Sequence, residues 1–364
     1  MNRNLSIFLD ICRLSAALLV FIDHARNLGL WPFFRAIAGI GSEAVAVFFV
    51  LSGFIIRFVS KEKHESNFFN YTVARLSRVY PVIIISITIG YLSDFVGIFY
   101  AKDSYSDIAN MHNGTLSEAL ADITFTNELW FSHTVFGSNG PYWSMGFEVP
   151  YYIVFAFISF TQARLRMVLV AGWAALVGPK ILLYFTIWLL GVALYSVIQQ
   201  MRTRRVALGL GIMLAMLVLF SIYTFILHPM KWIYQNAYEA HSLGSLLPPA
   251  MYYAGIGIMF AVIVVGFQWA SLGMNLFSPA FERLVRWLAG GSFTVYLVHL
   301  PVMHMVLALN PAMKNTRWPA IAGMALVLAI CFLAAELGER RKYFYRGLIE
   351  AIANRFTRPL REGR

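Results

Sequence analysis

The sequence predicts an all-α membrane protein, a polytopic helix bundle with about ten transmembrane helices. The chain has 364 residues, of which 59% are hydrophobic and 13% are charged, whereas a soluble domain carries about 25% charged residues. Apolar runs long enough to cross a bilayer recur along the chain. Basic residues cluster in the short segments between those runs, which membrane topology favours and which argues against nucleic acid as a partner.

We place the spans in chain order, using apolar runs of about 17 to 25 residues as the criterion. The predicted spans are 6–28, 40–58, 79–100, 143–160, 167–179, 181–198, 206–227, 250–270, 292–309 and 318–338. Only Gly178, Pro179 and Lys180 separate the fifth span from the sixth, so these two form either a tight helical hairpin or one broken helix. Charged residues interrupt the first span and no small-residue cleavage site follows it, so we expect it to be retained.

Ten spans place both termini on the same side of the membrane, and the distribution of basic residues predicts which side that is. Of the 29 lysines and arginines, 21 fall on one side, 7 fall on the other and Arg13 lies within the first span. We therefore expect both termini to be cytoplasmic, with a membrane domain over residues 1–340 and a basic tail over 341–364. Cys12 and Cys331 fall in apolar spans, so neither a disulfide nor a metal site is predicted.

Two ionisable residues, Arg13 and His24, lie inside the first span, where such groups are costly and are rarely kept for packing alone. On a helix they point to within about 20° of each other and lie roughly 16 Å apart along one face. An imidazole can take a proton from a hydroxyl near neutral pH, and Asp23 precedes this one. Arg13 is predicted either to pair with Asp10, one turn before it, or to bind a phosphate.

The second and third spans carry further candidates. Ser52 and Gly53 interrupt an apolar helix in FFVLSGFIIRF, which permits close helix packing, a kink or space for a narrow ligand. Arg75 and Arg78 lie one turn apart in NYTVARLSRVYP. They are predicted to be either positive-inside anchors or a phosphate clamp at a cytoplasmic mouth.

Later spans contribute an acid and a second imidazole. Glu148 lies about one turn into the fourth span, five residues after Trp143, in GPYWSMGFEVPYY. His299 lies in SFTVYLVHLPV, near the end of the chain. Either side chain can be a structural group that a neighbouring helix satisfies, but an ionisable group at membrane depth is a functional candidate by default.

Five motifs, taken together and in this order, resemble the integral-membrane acyltransferase family 3. They are Arg-x10-His, FFVLSGF, ARLSRVYP, YWSMGFE and SFTVYLVHLP, and the resemblance runs from about residue 6 to residue 340. It implies a multi-pass protein of the bacterial inner membrane that acylates an extracytoplasmic carbohydrate such as O-antigen, exopolysaccharide or Nod factor. The implied donor is cytoplasmic acyl-CoA, usually acetyl-CoA, with no permanently bound cofactor.

The resemblance also implies roles for individual residues. His24 corresponds to the essential histidine and Arg13 to its partner arginine. From helix geometry we expect Glu148 or Asp23 to orient the imidazole, and Glu148 is favoured because adjacent residues on a helix diverge by about 100°. The residues implied in donor binding are Arg13, Ser52, Gly53, Arg75 and Arg78. The residues implied in acceptor binding are Trp143, Ser144 and His299.

The sequence departs from the family pattern at two positions of the YWSMGFE motif. Met145 stands where leucine is usual, which conserves volume. Val149 follows Glu148 where many members have a second acid, so a two-carboxylate scheme has no support there. The hydrolase-like soluble domain that is fused to some members is not seen in this sequence, so we expect transfer to be completed by this chain alone or with a separate partner.

The resulting hypothesis places the phosphates of acyl-CoA near Arg13, and the pantetheine arm between helices that lead toward His24. His24 then acts either as the base that deprotonates the sugar hydroxyl or as a transient acyl carrier. The alternative function is a glycolipid transporter or flippase that uses the same charges as a substrate path, although no inverted repeat supports it. Membrane lipids are the other expected partners.

Overall fold

The computed structural model describes residues 2–30, 39–62, 67–108, 114–227, 242–314 and 316–357. The described residues form helices and no β-strands, which confirms the all-α prediction. In chain order the helices are α1 (Arg3–Asn27), α2 (Gly41–Glu62), α3 (Phe68–Ile108), α4 (Leu116–Thr124), α5 (Met145–Phe160), α6 (Ala163–Gln200), α7 (Val206–Leu227), α8 (Leu243–Ser271), α9 (Pro279–Ala289), α10 (Ser292–Leu309), α11 (Arg317–Leu337) and α12 (Lys342–Thr357). A 3₁₀ turn at Gly140–Ser144 leads into α5.

Nine segments among the described residues are long and apolar enough to cross a membrane, so the protein is a multi-pass membrane protein. One of them, α6, is broken at Gly178, where φ is 79° and ψ is 178°. The ring centroids of Trp173 and Phe185 are 5.6 Å apart, although a straight helix would separate these positions by about 18 Å. Helix α6 is therefore a hairpin of two arms, and counting the arms separately gives the ten predicted spans.

The turn of this hairpin packs against the loop that precedes α5. The backbone N–H of Trp130 donates to the carbonyl oxygen of Val177 at 2.9 Å. A Cβ atom on Gly178 would lie 2.7 Å from the Cα atom of Trp130, so only glycine permits this approach. The loop over 125–139 and the turn of α6 consequently lie at the same end of the bundle.

The opposite end of the bundle holds the start of α1 and the start of the predicted tail. The side chain of Asn4 donates to the carbonyl oxygen of Met274 at 2.7 Å, and Arg3 pairs with Glu282 of α9 at 2.6 Å. Arg340 donates to the carbonyl oxygen of Trp287, also on α9, at 2.9 Å. The start of α1 and the start of the tail therefore share one end of the bundle, whose cytoplasmic location stays a prediction from the basic residues.

Close backbone contact joins α2 to the second arm of α6. A Cβ atom on Gly53 would lie 2.0 Å from the carbonyl oxygen of Trp188, and one on Gly191 would lie 2.0 Å from that of Val50. Glycine at both positions lets the helices touch, as small residues do in membrane bundles. Of the readings that the sequence left open for Gly53, the structure supports close packing.

Helices α3 and α12 differ from the segments predicted for them. The predicted third span began at residue 79, but α3 begins at Phe68, so Arg75 and Arg78 lie within the helix, one turn apart. Within the predicted tail, α12 packs against α3, and residues 358–364 lie outside the described part of the chain. The extension of α3 brings two arginines to a cavity that residues of α1, α2, α5 and α10 also line.

Candidate active site

Three adjoining cavities lie between the helices around α1, and we name them by their predicted sides. The inner mouth has a volume of about 250 Å³ and is lined by Arg13, Arg78, Arg286, Trp287, Gly290, Glu339, Arg340 and Lys342. The inner chamber, of about 80 Å³, is mostly apolar, and its polar lining residues are Arg13, Ser52, Arg75, Arg78, Ser144, Glu148, Tyr152, Ser292 and Tyr296. The outer chamber, of about 590 Å³, is lined by Asp23, His24, Arg26, His133, Trp143 and their neighbours.

Shared lining residues show that the cavities adjoin one another. Arg13 and Arg78 line both the inner mouth and the inner chamber. Val45 and Tyr296 line both the inner chamber and the outer chamber. The series therefore leads from the end of the bundle that holds the start of α1 and the start of the tail to the end that holds the hairpin turn.

Arg13 lies where the mouth meets the inner chamber. One Nη atom donates to the carbonyl oxygen of Ala289 at 2.6 Å and lies 3.5 Å from the carboxylate of Asp10. The Nε atom is buried and makes no hydrogen bond within the described part of the chain. Asp10 lies closer to Arg286, at 3.1 Å. The predicted pair with Asp10 thus exists, but it uses only one nitrogen of the guanidinium group, and the Nε atom is not engaged by it.

A hydrogen-bonded group of three residues lies on the wall of the inner chamber. Ser52 donates to the carboxylate of Glu148 at 2.7 Å, and the hydroxyl of Tyr152 donates to the same oxygen. The indole N–H of Trp188 donates to the hydroxyl of Ser52 at 3.1 Å. The guanidinium of Arg75 lies 5.9 Å from the ring centroid of Tyr152. Glu148 is thus held by neutral donors, and a cation, the guanidinium of Arg75, lies over the ring of one of them.

The inner chamber contains most of the residues that the sequence assigned to donor binding. Ser52, Arg75 and Arg78 line it together with Arg13. Ser144, which was expected at the acceptor, lines the inner chamber instead. Gly53 faces the backbone of α6, so the structure gives it a packing role in place of the predicted contact with a donor.

His24 lies in the outer chamber and is hydrogen-bonded to a second imidazole. Its Nδ1 atom lies 2.8 Å from Nε2 of His299, and the two rings are stacked. Nδ1 of His299 lies 2.9 Å from the carbonyl oxygens of Val295 and Tyr296. Carbonyl oxygens only accept, so Nδ1 of His299 carries the proton and its Nε2 atom accepts from Nδ1 of His24. In this neutral pair Nε2 of His24 is the atom that keeps a lone pair.

This pairing corrects two sequence-based expectations. Glu148 was expected to orient His24, but it is bound by Ser52 and Tyr152 on the wall of the inner chamber. His299 was expected at the acceptor, but it is 0% exposed and reaches the chamber only through His24. The sequence missed the pair because the spacing of residues along one helix does not show which helix packs against it.

Trp143 and Asp23, two other predicted residues, also line the outer chamber, but Asp23 is not the group that orients His24. Trp143 lines the chamber, and its indole ring packs edge-to-face with Phe49 and Phe147. Asp23 also lines the chamber, and its carboxylate accepts from the backbone N–H of Gly39 at 2.5 Å. Asp23 thus anchors the start of α2, and His299 is the partner of His24.

Sequence reasoning missed a second histidine of the outer chamber. His133 lies in the loop before α5, and its Nδ1 atom lies 2.6 Å from the carboxylate of Glu128. The other oxygen of that carboxylate accepts from Lys180 at 2.5 Å. The available signal was Lys180 itself, a lone cation in a three-residue turn between two apolar runs. A charge at that place requires a buried partner if the turn is enclosed.

Comparison with known proteins gives one match. The model of a family described as an acyltransferase domain, Acyl_transf_3, matches residues 6–336. The matched region contains both chambers and ends before α12. No curated protein and no solved structure matches the chain.

Proposed function

The chain belongs to the acyltransferase family 3 of membrane proteins, and we propose that it transfers an acyl group from cytoplasmic acyl-CoA to a hydroxyl of an extracytoplasmic carbohydrate. Acetyl-CoA is the proposed donor, O-antigen, exopolysaccharide or Nod factor is the proposed class of acceptor, and the bacterial inner membrane is the proposed location. The observation that carries this proposal is the series of three cavities, which begins at a cationic mouth and ends at an imidazole.

The inner mouth suits the phosphates of coenzyme A. Arg286, Arg340 and Lys342 lie around it, and Arg13 and Arg78 continue the positive charge inward. Guanidinium groups bind phosphate through two parallel hydrogen bonds, and such charge-assisted bonds are about twice as strong as neutral ones. A phosphate anchored here would leave the pantetheine arm to extend into the inner chamber.

The narrow inner chamber suits the pantetheine arm. It is lined by apolar side chains and has a volume of only about 80 Å³, compared with about 590 Å³ for the outer chamber. The hydroxyl of Ser52 and the carboxylate of Glu148 lie on its wall and can bind the amide groups of the arm. The thioester would then reach the boundary at Val45 and Tyr296, next to the outer chamber.

The chemistry falls to Nε2 of His24. As a base, this atom takes the proton of the acceptor hydroxyl while the oxygen attacks the thioester carbonyl, and the coenzyme A thiolate then receives that proton. As a nucleophile, it attacks the carbonyl itself and carries the acyl group until the hydroxyl displaces it. Both routes need Nε2 unprotonated at the start, which the hydrogen bond to His299 favours.

Labelled acetyl-CoA offered to native membranes, which contain the acceptor, tests this function. His24→Ala removes the reacting atom and is expected to lower glycan acylation at least about 10³-fold at an equal protein level. His304→Ala is the matched control, because it removes a buried imidazole of α10 that does not line the outer chamber. Full acylation by His24→Ala would contradict the assignment, and labelled glycan that moves across the membrane without acylation would favour a flippase.

A further inference from the structure

A buried ion pair supports the second imidazole of the outer chamber. Glu128 is 0% exposed and Lys180 is 2% exposed, and their charged atoms lie 2.5 Å apart. Lys180 also donates to the carbonyl oxygen of Ser132 at 2.5 Å. The remaining oxygen of Glu128 faces His133, whose side chain is 27% exposed and lines the chamber. The group thus extends from the turn of α6 to the cavity.

The hydrogen bond defines how His133 meets the chamber. A carboxylate only accepts, so Nδ1 of His133 donates to Glu128 at 2.6 Å. An imidazole whose Nδ1 atom is held by a buried carboxylate is oriented to use its Nε2 atom in proton transfer. If Glu128 and Lys180 served only to join the loop to the hairpin turn, that attachment would not require an imidazole that lines the cavity.

The acyl-carrier route creates a need for such a group. Once Nε2 of His24 carries the acyl group, its Nδ1 atom is still bonded to His299, so the ring has no lone pair left for a proton. The acceptor hydroxyl then needs another base in the outer chamber. Among the described residues, the other ionisable groups that line this chamber are Arg26, which is a cation, Tyr296, whose phenol is neutral near pH 7, and Asp23, whose carboxylate holds the backbone at Gly39.

We propose that His133 is the base of the acceptor step, that Glu128 and Lys180 position it, and that His24 carries the acyl group between the two steps. This inference rests on the proposed function and deepens it. In the first step Nε2 of His24 attacks the thioester carbonyl, the carbon–sulfur bond breaks, and the thiolate takes a proton from water. In the second step Nε2 of His133 accepts the hydroxyl proton, the oxygen attacks the acyl carbonyl, and the carbon–nitrogen bond to His24 breaks. His133 then returns the proton to water.

The two steps are measured separately on the full chain. Release of coenzyme A from acetyl-CoA by purified protein without acceptor reports the first step, as a burst of one equivalent. Glycan acylation in native membranes reports both steps. His133→Gln is expected to keep the burst and to lower glycan acylation about 10²- to 10⁴-fold, which is the usual contribution of a general base. His24→Ala is expected to lose both signals.

Two controls separate a chemical role of His133 from a structural one. Thr126→Ala changes an exposed side chain of the same loop whose hydroxyl lies 3.0 Å from that of Thr124, so both signals should stay at the wild-type level. Hydroxylamine needs no general base, so it should discharge acylated His133→Gln protein at the wild-type rate. A distorted chamber would slow this reaction as well.

Each other outcome is decisive. The inference is overturned if His133→Gln acylates glycan at the wild-type rate, if it loses the burst, or if hydroxylamine discharges it slowly. A wild-type protein that acylates glycan without any burst would overturn the acyl-carrier route and leave the proposed function standing. Wild-type activity in His24→Ala would instead overturn the proposed function itself.

Discussion

The inner and outer chambers use different chemistry to handle charge. The inner chamber has three arginines and one carboxylate, Glu148, that accepts from two hydroxyl groups. The outer chamber has two imidazoles, His24 and His133, and each is held through its Nδ1 atom. Guanidinium groups stay charged in proteins, whereas imidazoles exchange protons near neutral pH. The inner chamber is therefore suited to hold an anion, and the outer chamber is suited to move protons.

The largest effect is expected from His299, because it acts on the reacting group of the outer chamber. His299→Phe keeps a planar ring but removes the acceptor of the His24 Nδ1 proton. The proton can then lie on either ring nitrogen of His24, so Nε2 no longer keeps its lone pair reliably. We expect glycan acylation in native membranes to fall about 10²- to 10⁴-fold, the range of a general base or nucleophile made ineffective. His299→Gln restores an acceptor oxygen and should recover about tenfold of that loss.

Which of these two variants is the more active shows whether His299 positions His24 or only packs against it. Phenylalanine keeps a planar ring in place of the buried imidazole and glutamine does not, so a role in ring packing predicts that His299→Phe is the better enzyme. A positioning role predicts the reverse order at equal protein levels. Equal activity of both variants, near the wild-type level, would show that His24 does not need this partner.

This pair also shows how far the sequence determines the site. The apolar runs predict the spans because bilayer thickness restricts helix length, and the helical repeat predicts that Arg13 and His24 share one face. The partner of His24 lies 275 residues away, and only tertiary packing brings it there. The amphipathic helices α9 and α12 have no equivalent among the predicted spans, since hydropathy detects helices that cross the membrane.

The outer chamber should also depend on Lys180 for stability. Lys180→Met leaves Glu128 as an uncompensated buried charge, which costs about 3–5 kcal/mol. We expect a lower apparent melting temperature in detergent and a weaker acceptor step. Glu128→Gln combined with Lys180→Met removes both charges and keeps an acceptor oxygen for His133, so most of the stability should return.

A matched measurement in the inner chamber sharpens the contrast. Glu148 already accepts from neutral hydroxyl groups, so Ser52→Ala removes one donor and is expected to cost about 1 kcal/mol. If Lys180→Met destabilises the protein no more than Ser52→Ala does, Lys180 is not what neutralises the buried carboxylate of Glu128. If the double variant is less stable than Lys180→Met alone, Glu128 has another cationic partner.

The smallest effect on catalysis is expected where the inner chamber meets the mouth. Arg13→Lys keeps the charge but loses the planar fork, one arm of which is already bonded to Ala289. Loss of one charge-assisted hydrogen bond to a phosphate costs about 1.5 kcal/mol, so the KM for acetyl-CoA should rise about tenfold. The kcat should stay unchanged, because this contact is the same in the ground state and in the transition state. Arg202→Lys, in the exposed turn after α6, is the matched control. A fall in kcat at unchanged KM would place Arg13 in the chemical step. Anion binding in the inner chamber and proton transfer in the outer chamber would then not be separate functions.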